Sequence, residues 1–331
     1  MRAITMDAFG SYAEATIRDW PDPVPGPGEV LVETHAVAAN YVDLVIMAGK
    51  YQFRAEPPFI PGKHPAGIIR AVGSGVGDLG VGDRVLAMHE SAAFAECVVA
   101  RADWTYRLPD CLSFAEAASM ALVFDTAWFA LHDRARLASG ETVLVLGATG
   151  GVGLAAVQLA RAAGATVLAG VSSDAKAALA LDAGADAVID LSGDDLRDRL
   201  KDQVMEATRG VGVDVVIDPL GGDFFDAALR ALAWRGRLVV IGFAAGRIPS
   251  VAANYLLVKN IEVSGLQVSD YRRRQPERMA AAFAEMFAMA EAGKIRPLPT
   301  TTVPFEAFRD AFRAIEERTA RGRVVLQVHA G

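Results

Sequence analysis

The stretch 142–173, TVLVLGATGGVGLAAVQLARAAGATVLAGVSS, constrains the fold of this chain more than any other part of it. Val143, Leu144, Val145 and Leu146 make a short apolar run, the pattern of a parallel strand buried on both faces. The chain then turns through Gly147-Ala148-Thr149-Gly150-Gly151-Val152-Gly153. Residues 154–163 have helical composition and Gly164 stops them. Residues 166–171 are apolar and partly β-branched again. Strand, glycine turn, helix and strand within about 30 residues form half of a dinucleotide-binding unit.

Three of the loop's glycines have tasks in that reading. Gly150 allows a turn that a Cβ would obstruct, and the Gly151 and Val152 amides let backbone approach a pyrophosphate. Gly153 brings the helix close to the strand, and the helix N-terminus offers free N–H groups and a positive dipole end. Ala148, Thr149, Gly150, Gly151, Val152 and Gly153 are therefore candidate cofactor contacts. Ala148 stands where the usual pattern has its first glycine.

The end of the second strand selects the nucleotide. A carboxylate there holds the ribose hydroxyls of NAD. This chain has Ser172 and Ser173, with Lys176 one turn on. Two hydroxyls and an ammonium suit a 2′-phosphate, so the sequence favours NADPH over NADH. A plainer role makes Ser173 a helix cap and Lys176 a solvated charge; both roles can coexist.

Around this unit, strand and helix patterns alternate from 174 to 266, which implies a doubly wound parallel sheet of the Rossmann type. Strand ends in such sheets face the ligand, which adds Ser172, Leu220, Gly242, Phe243, Leu266 and Gln267 to the cofactor candidates. Residues 1–110 are β-rich instead, with strands predicted over 3–9, 15–20, 30–37, 66–72 and 93–99. Asn40 opens a short helix there. Ser113-Phe114-Ala115-Glu116 has capping-box spacing before a long apolar helix running towards 133. Beyond 266, helices are predicted over 277–292 and 305–320, and strands over 300–303 and 323–328. The predicted division is a β-rich catalytic domain over 1–122 and 267–331 and a nucleotide domain over 123–266, with the substrate cleft between them.

Composition narrows the class further. With 331 residues and 52% hydrophobic content a large core is feasible. A net charge of −7 argues against a nucleic-acid surface. Two cysteines cannot build a disulfide framework. No N-terminal signal pattern and no membrane-spanning apolar run stands out, so a cytoplasmic enzyme is expected.

Together, several motifs resemble the medium-chain dehydrogenase/reductase superfamily, and within it the zinc-independent quinone oxidoreductase branch. They are Asn40-Tyr41-Val42-Asp43, Gly49-Lys50-Tyr51, Pro58-Phe59-Ile60-Pro61-Gly62, Gly82-Asp83-Arg84-Val85, the glycine loop, Asp218-Pro219-Leu220-Gly221-Gly222 and Leu257-Val258-Lys259-Asn260. The resemblance covers nearly the whole chain. It implies a GroES-like catalytic domain beside the Rossmann domain, and commonly a homodimer that pairs the last strands of the nucleotide domains, here 261–266.

The resemblance also implies roles. Zinc-dependent relatives have a cysteine near Asn40 and a His-Glu pair where this chain has Lys63-His64, so no metal is expected. Asn40 and Asp43 match positions that shape the nicotinamide pocket, and Thr126 a threonine near nicotinamide and phosphates. Arg323 takes the place of lysine in the family's glycine-lysine ending and joins the cofactor contacts. Tyr51 matches a position thought to donate a proton in enoyl-thioester reductases. Many relatives have tyrosine where this chain has Leu191, which weakens the argument for NADPH. Phe53, Trp104, Phe124 and Phe243 are candidates for an apolar slot.

The expected function is metal-free hydride transfer from NADPH to a quinone or similar conjugated carbonyl. The rivals are reduction of an enoyl thioester of the acryloyl- or crotonyl-CoA type, with Arg272, Arg273 and Arg274 as a basic mouth, and NADPH binding without turnover.

Overall fold

A computed structural model describes residues 1–52, 54–320 and 322–329; Phe53 lies outside the described residues. The chain divides into two compact units, the first Met1–Ala121, Tyr271–Glu291 and Pro297–Gly331, the second Leu122–Asp270 and Ala292–Arg296.

In the first unit, β1 (Arg2–Thr5) and β2 (Thr16–Asp19) form an antiparallel ribbon. The long β3 (Glu29–Ala39) leads directly into helix α1 (Tyr41–Met47). Then come β4 (Ala66–Val72), β5 (Arg84–Ala87), β6 (Cys97–Arg101), β7 (Thr105–Arg107) and helix α2 (Phe114–Met120). β3 is the spine, antiparallel to both β4 and β6. The strand expected over 93–99 starts later. Ala93 and Phe94 donate instead to Gly62 and Pro61 carbonyls, which fixes the loop ahead of Lys63.

The second unit begins with α3 (Val123–Trp128), prolonged by a wider turn over Phe129–Arg134. The apolar stretch Phe114–Arg134 is long and apolar enough to cross a membrane on length and composition, contrary to the reading from sequence. It is mostly buried inside the protein, and Leu122 breaks it at a positive φ of 69°. It behaves as core.

Next are β8 (Thr142–Leu146), α4 (Gly151–Ala162), β9 (Thr166–Val171), α5 (Asp174–Asp182), β10 (Ala187–Asp190) and α6 (Leu196–Ala207). They are followed by β11 (Val213–Asp218), α7 (Gly222–Ala231), β12 (Leu232–Val240), α8 (Ala253–Lys259) and β13 (Glu262–Gly265). The six strands order as β10-β9-β8-β11-β12-β13, all parallel. This is the doubly wound Rossmann arrangement, with its strand order reversing between β8 and β11. Leu144, Leu168, Ile189, Val216, Phe225 and Leu238 carry its core.

The tail holds α9 (Val268–Arg274), for which the sequence analysis predicted no element, then α10 (Pro276–Glu291), β14 (Thr300–Pro304), α11 (Phe308–Glu316) and β15 (Arg323–Gln327). β15 pairs antiparallel with β3, so the tail completes the first unit's sheet as expected. Phe94, Phe305, Phe308 and Phe312 pack with Met6, Met47 and Leu326 in that unit's core.

Candidate active site

The second unit gathers its candidates at the carboxyl ends of β8, β9, β11 and β12. After β8 the chain turns at Gly147, whose φ is +58°, a conformation that L side chains rarely adopt. This is the glycine of the loop that needs to be glycine for its backbone; the sequence reading gave it no task. Gly150 does not match the role predicted for it. Its φ is −72°, and an added Cβ would meet only the Gly147 carbonyl, at 3.4 Å. Gly153 does match: a Cβ there would stand 2.3 Å from the Gly147 oxygen and 2.8 Å from Ala148. The Leu154 N–H donates to the Gly150 carbonyl, which is the first bond of α4. Helix geometry then leaves the N–H groups of Gly151, Val152 and Gly153 without intrahelical acceptors. Ala148 is buried, Thr149 half-buried and Gly150 exposed. The cradle fits a pyrophosphate, with the helix dipole adding to it.

At the end of β9, Ser172, Ser173 and Lys176 are all exposed. Lys176 Nζ donates to Ser172 Oγ at 3.0 Å, while Ser173 makes no side-chain cap bond to α5. Leu191 is buried under the sheet's edge and offers no polar group. After β11, one Asp218 oxygen accepts the Leu220 and Gly221 N–H groups, both at 2.8 Å. Burial raises the Asp218 pKa against those bonds. Asp218 thus shapes the loop that carries Leu220, whose side chain closes on Gly147. Phe243, next to Gly242, is 42% exposed and packs against Gly221. Leu266 and Gln267 are half-buried just after β13. Thr126 is buried in α3 with its hydroxyl donated to the Leu122 carbonyl, so that donor is committed within its own helix.

The first unit gathers a separate set. The backbone N–H of Asn40 donates to Asp43 Oδ2 at 2.8 Å, and its side-chain amide to the same oxygen at 3.1 Å. Arg323 Nη2 donates to Asn40 Oδ1 at 2.6 Å, and its Nε to the Ser119 carbonyl at 3.1 Å. Asp43 is fully buried, and its second oxygen has no hydrogen-bond partner among the described residues. Burial pushes the Asp43 pKa up to about 6, against the Asn40 N–H and the charges of Lys63 and Arg323. Burial likewise holds Arg323 down to about 10, opposed by Asp43. Arg323, proposed from sequence as a cofactor contact, is thus engaged as the anchor of Asn40.

Tyr51 lines a cavity of ≈ 190 Å³ with Ile46, Phe59, Ile60, Lys63 and Glu90. The Lys63 ammonium lies 5.2 Å from the Tyr51 ring centroid and is ion-paired with Glu90. Glu90 also binds Arg272, which is fully buried. Arg272 therefore cannot belong to a solvated basic mouth; in the run of three, Arg273 and Arg274 are exposed. Lys63, Glu90 and Arg272 are the side chains that sequence reasoning missed as a group. Phe124 is core and Trp104 stacks under Arg101, so neither stands out as a slot residue.

The donor set does not fit a metal. His64 is buried, with neither ring nitrogen partnered among the described residues, and its pKa is held well below the usual value by burial and by the nearby Arg272 and Lys63 charges. Among the described residues no group of three or more His, Cys, Asp or Glu is placed to hold an ion.

Comparison with known proteins matches residues 26–110 to the alcohol dehydrogenase GroES-like domain and 151–287 to the zinc-binding dehydrogenase family. Bovine quinone oxidoreductase-like protein 2 is 37% identical over 309 residues, covering 93% of this chain and 87% of its own. The chain belongs to the quinone oxidoreductase branch of the medium-chain dehydrogenase/reductase superfamily. Among solved members, a mycobacterial quinone oxidoreductase is 34% identical with a TM-score of 0.91, over 99% of this chain and 100% of that one. A mycobacterial structure complexed with NADPH is 33% identical with a TM-score of 0.90 over the same shares. The CurK enoyl reductase is 26% identical with a TM-score of 0.88 over 98% of each chain. This family member is an oxidoreductase that binds a nicotinamide cofactor.

Proposed function

We propose that the chain is an NADPH-dependent reductase acting on a quinone or a similar conjugated carbonyl without a metal. The observation that carries the reading is the donor set of the first unit: Tyr51 and a paired Lys63 line a cavity where zinc-dependent relatives have ligands. The relatives named for quinone reduction support the acceptor class. For the cofactor, the support is Lys176 held on Ser172 with no carboxylate at Ser172 or Ser173. The glycine loop and the N-terminus of α4 would hold the pyrophosphate, and Ser172 and Lys176 the 2′-phosphate.

NADPH, when bound, supplies a hydride. The chain's task is to stabilise charge that builds on the acceptor oxygen and to deliver a proton. Tyr51 is the proposed proton donor. Asp43 and Arg323 fix Asn40, which with Asp43 would shape the nicotinamide pocket.

Enoyl-thioester reduction is the second reading, favoured by the likeness to an enoyl reductase. The burial of Arg272 on Glu90 takes one arginine from the basic mouth that reading would use. The deciding experiment follows nicotinamide absorbance with NADPH and NADH, each against a small quinone and a crotonyl-CoA. Rapid NADPH loss with quinone alone supports the proposal. Loss only with the thioester, giving saturated product, replaces it. Tight NADPH binding with neither reaction makes the chain a binding protein.

We also propose a homodimer formed along β13, the edge strand of the second unit's sheet.

A further inference from the structure

We propose that Lys63 is the electrophilic residue of the reduction, its ammonium receiving the acceptor oxygen as negative charge develops there. The inference rests on the reductase reading above.

Lys63 is 2% exposed, yet it belongs to the wall of the ≈ 190 Å³ cavity beside Tyr51. A buried ammonium is costly unless its position serves a purpose, and replacing a buried ion pair by apolar groups is often stabilising. Neutralising Glu90 does not explain Lys63, because Arg272 already binds the other oxygen of the same carboxylate. Glu90 instead acts as a bracket. It takes Arg272 on Oε1 and Lys63 on Oε2, and fixes the ammonium over the Tyr51 ring. An ammonium has three N–H donors. Glu90 accepts one hydrogen bond from Lys63 and the ring face attracts the cation, which leaves donor capacity for an oxygen in the cavity.

The rest of the lining joins apolar Ile46, Phe59, Ile60 and Pro61, which suit the ring of a conjugated acceptor, with Arg54 and Ser91. The hydride adds with its electron pair to the acceptor carbon, and the displaced π pair settles on the conjugated oxygen. Lys63 holds that oxygen by a charge-assisted hydrogen bond and stays protonated. The Tyr51 O–H proton then passes to the acceptor, and water restores Tyr51. Acceptor, hydride and one proton balance the product. His64 beside Lys63 is kept neutral by burial, so it adds no second charge there.

The test uses 4-nitrophenol, whose colour reports its ionised form, with wild type, Lys63→Met and Lys63→Arg. Lys63→Met leaves Glu90 bound to Arg272, so no carboxylate is stranded, and circular dichroism checks the fold. Wild type should bind the probe as phenolate at a pH where it is mostly neutral in solution. Lys63→Met should lose that, and Lys63→Arg should regain part of it. With a small quinone, kcat for Lys63→Met should fall on the order of 100-fold, the scale of one lost oxyanion donor, with NADPH affinity by fluorescence titration unchanged. Phenolate binding by Lys63→Met equal to wild type, or no perturbation of the probe by wild type, overturns the assignment. A wild type that turns over no acceptor refutes the reductase reading instead, while the probe still decides whether Lys63 holds an oxyanion.

Discussion

Asp43 combines a fully buried carboxylate with a pKa pushed up to about 6 from 3.8. A carboxyl whose folded pKa is raised favours the native state most below the unfolded value and loses that contribution as pH rises through the folded one. Two units correspond to about 3 kcal/mol. Stability should therefore fall between about pH 4 and pH 6 on account of this group. Asp43→Asn should flatten that part of the profile in thermal melts, and an unchanged slope would refute the burial argument. Asn40 and Asp43 were legible in sequence, because a capping asparagine and an acid three residues on is a local pattern. Their third partner was not, since Arg323 lies 283 residues away. The same holds for Arg272, which within a run of three arginines reads as a solvated charge until Glu90 is seen against it. Lys176, by contrast, acts locally. Lys176→Ala should raise KM for NADPH about tenfold or more, the loss of one charged contact, with little change for NADH. Equal effects in steady-state kinetics would remove the 2′-phosphate from this end of β9.

At the scale of elements, the strand-turn-helix of β8 and α4 is held by a contact that tolerates no side chain. With a Cβ at residue 153 only 2.3 Å from the Gly147 oxygen, α4 must move off the turn. Gly153→Ala should cost about 1–3 kcal/mol as an overpacked site and weaken NADPH binding, read by melting temperature and by fluorescence titration. A variant that binds as well as wild type would mean the helix can shift without opening the cradle. Legibility followed periodicity here. β4 and β9 appeared in sequence with their observed bounds, because apolar β-branched runs flanked by glycine leave little choice. α4 starts three residues before the predicted 154, since glycines at its first turn hide a helix that tertiary packing imposes. β12 starts at Leu232, directly after α7 ends at Ala231. Leu232 pairs with Val213, then the register shifts before Arg237 pairs with Val215. Nothing in the alternation of Ala233, Trp234, Arg235 and Gly236 announces such an excursion. α9 was missed for another reason: its three arginines mask a short helix that carries one fully buried residue.

For the whole molecule, the second unit's sheet ends at β13, with one side unpaired among the described residues. An open edge is a template for another strand and is usually covered or blunted. The neighbouring α8 strengthens the case for cover, because Leu257 and Val258 are 80% and 75% exposed, far from the usual fate of such side chains. A second copy meeting this edge by a two-fold axis would extend the sheet antiparallel and bury both sets at once, in a self-complementary interface. Light scattering behind size exclusion should therefore give twice the chain's 35.0 kDa. Leu257→Glu with Val258→Glu places two carboxylates in the contact and should shift the species to monomer at micromolar concentration. The fold should persist, since neither side chain contributes to the core. A monomeric wild type would mean that the edge is left open. A dimer untouched by the double substitution would place the interface on a different face, with α8 exposed for some other reason. Glu262 gives a second check, because its carboxylate on β13 pairs with Arg136 within the same chain. Salt should weaken that exposed pair and leave an apolar dimer largely intact, so a dimer that dissociates at high salt would count against the α8 surface as its seam.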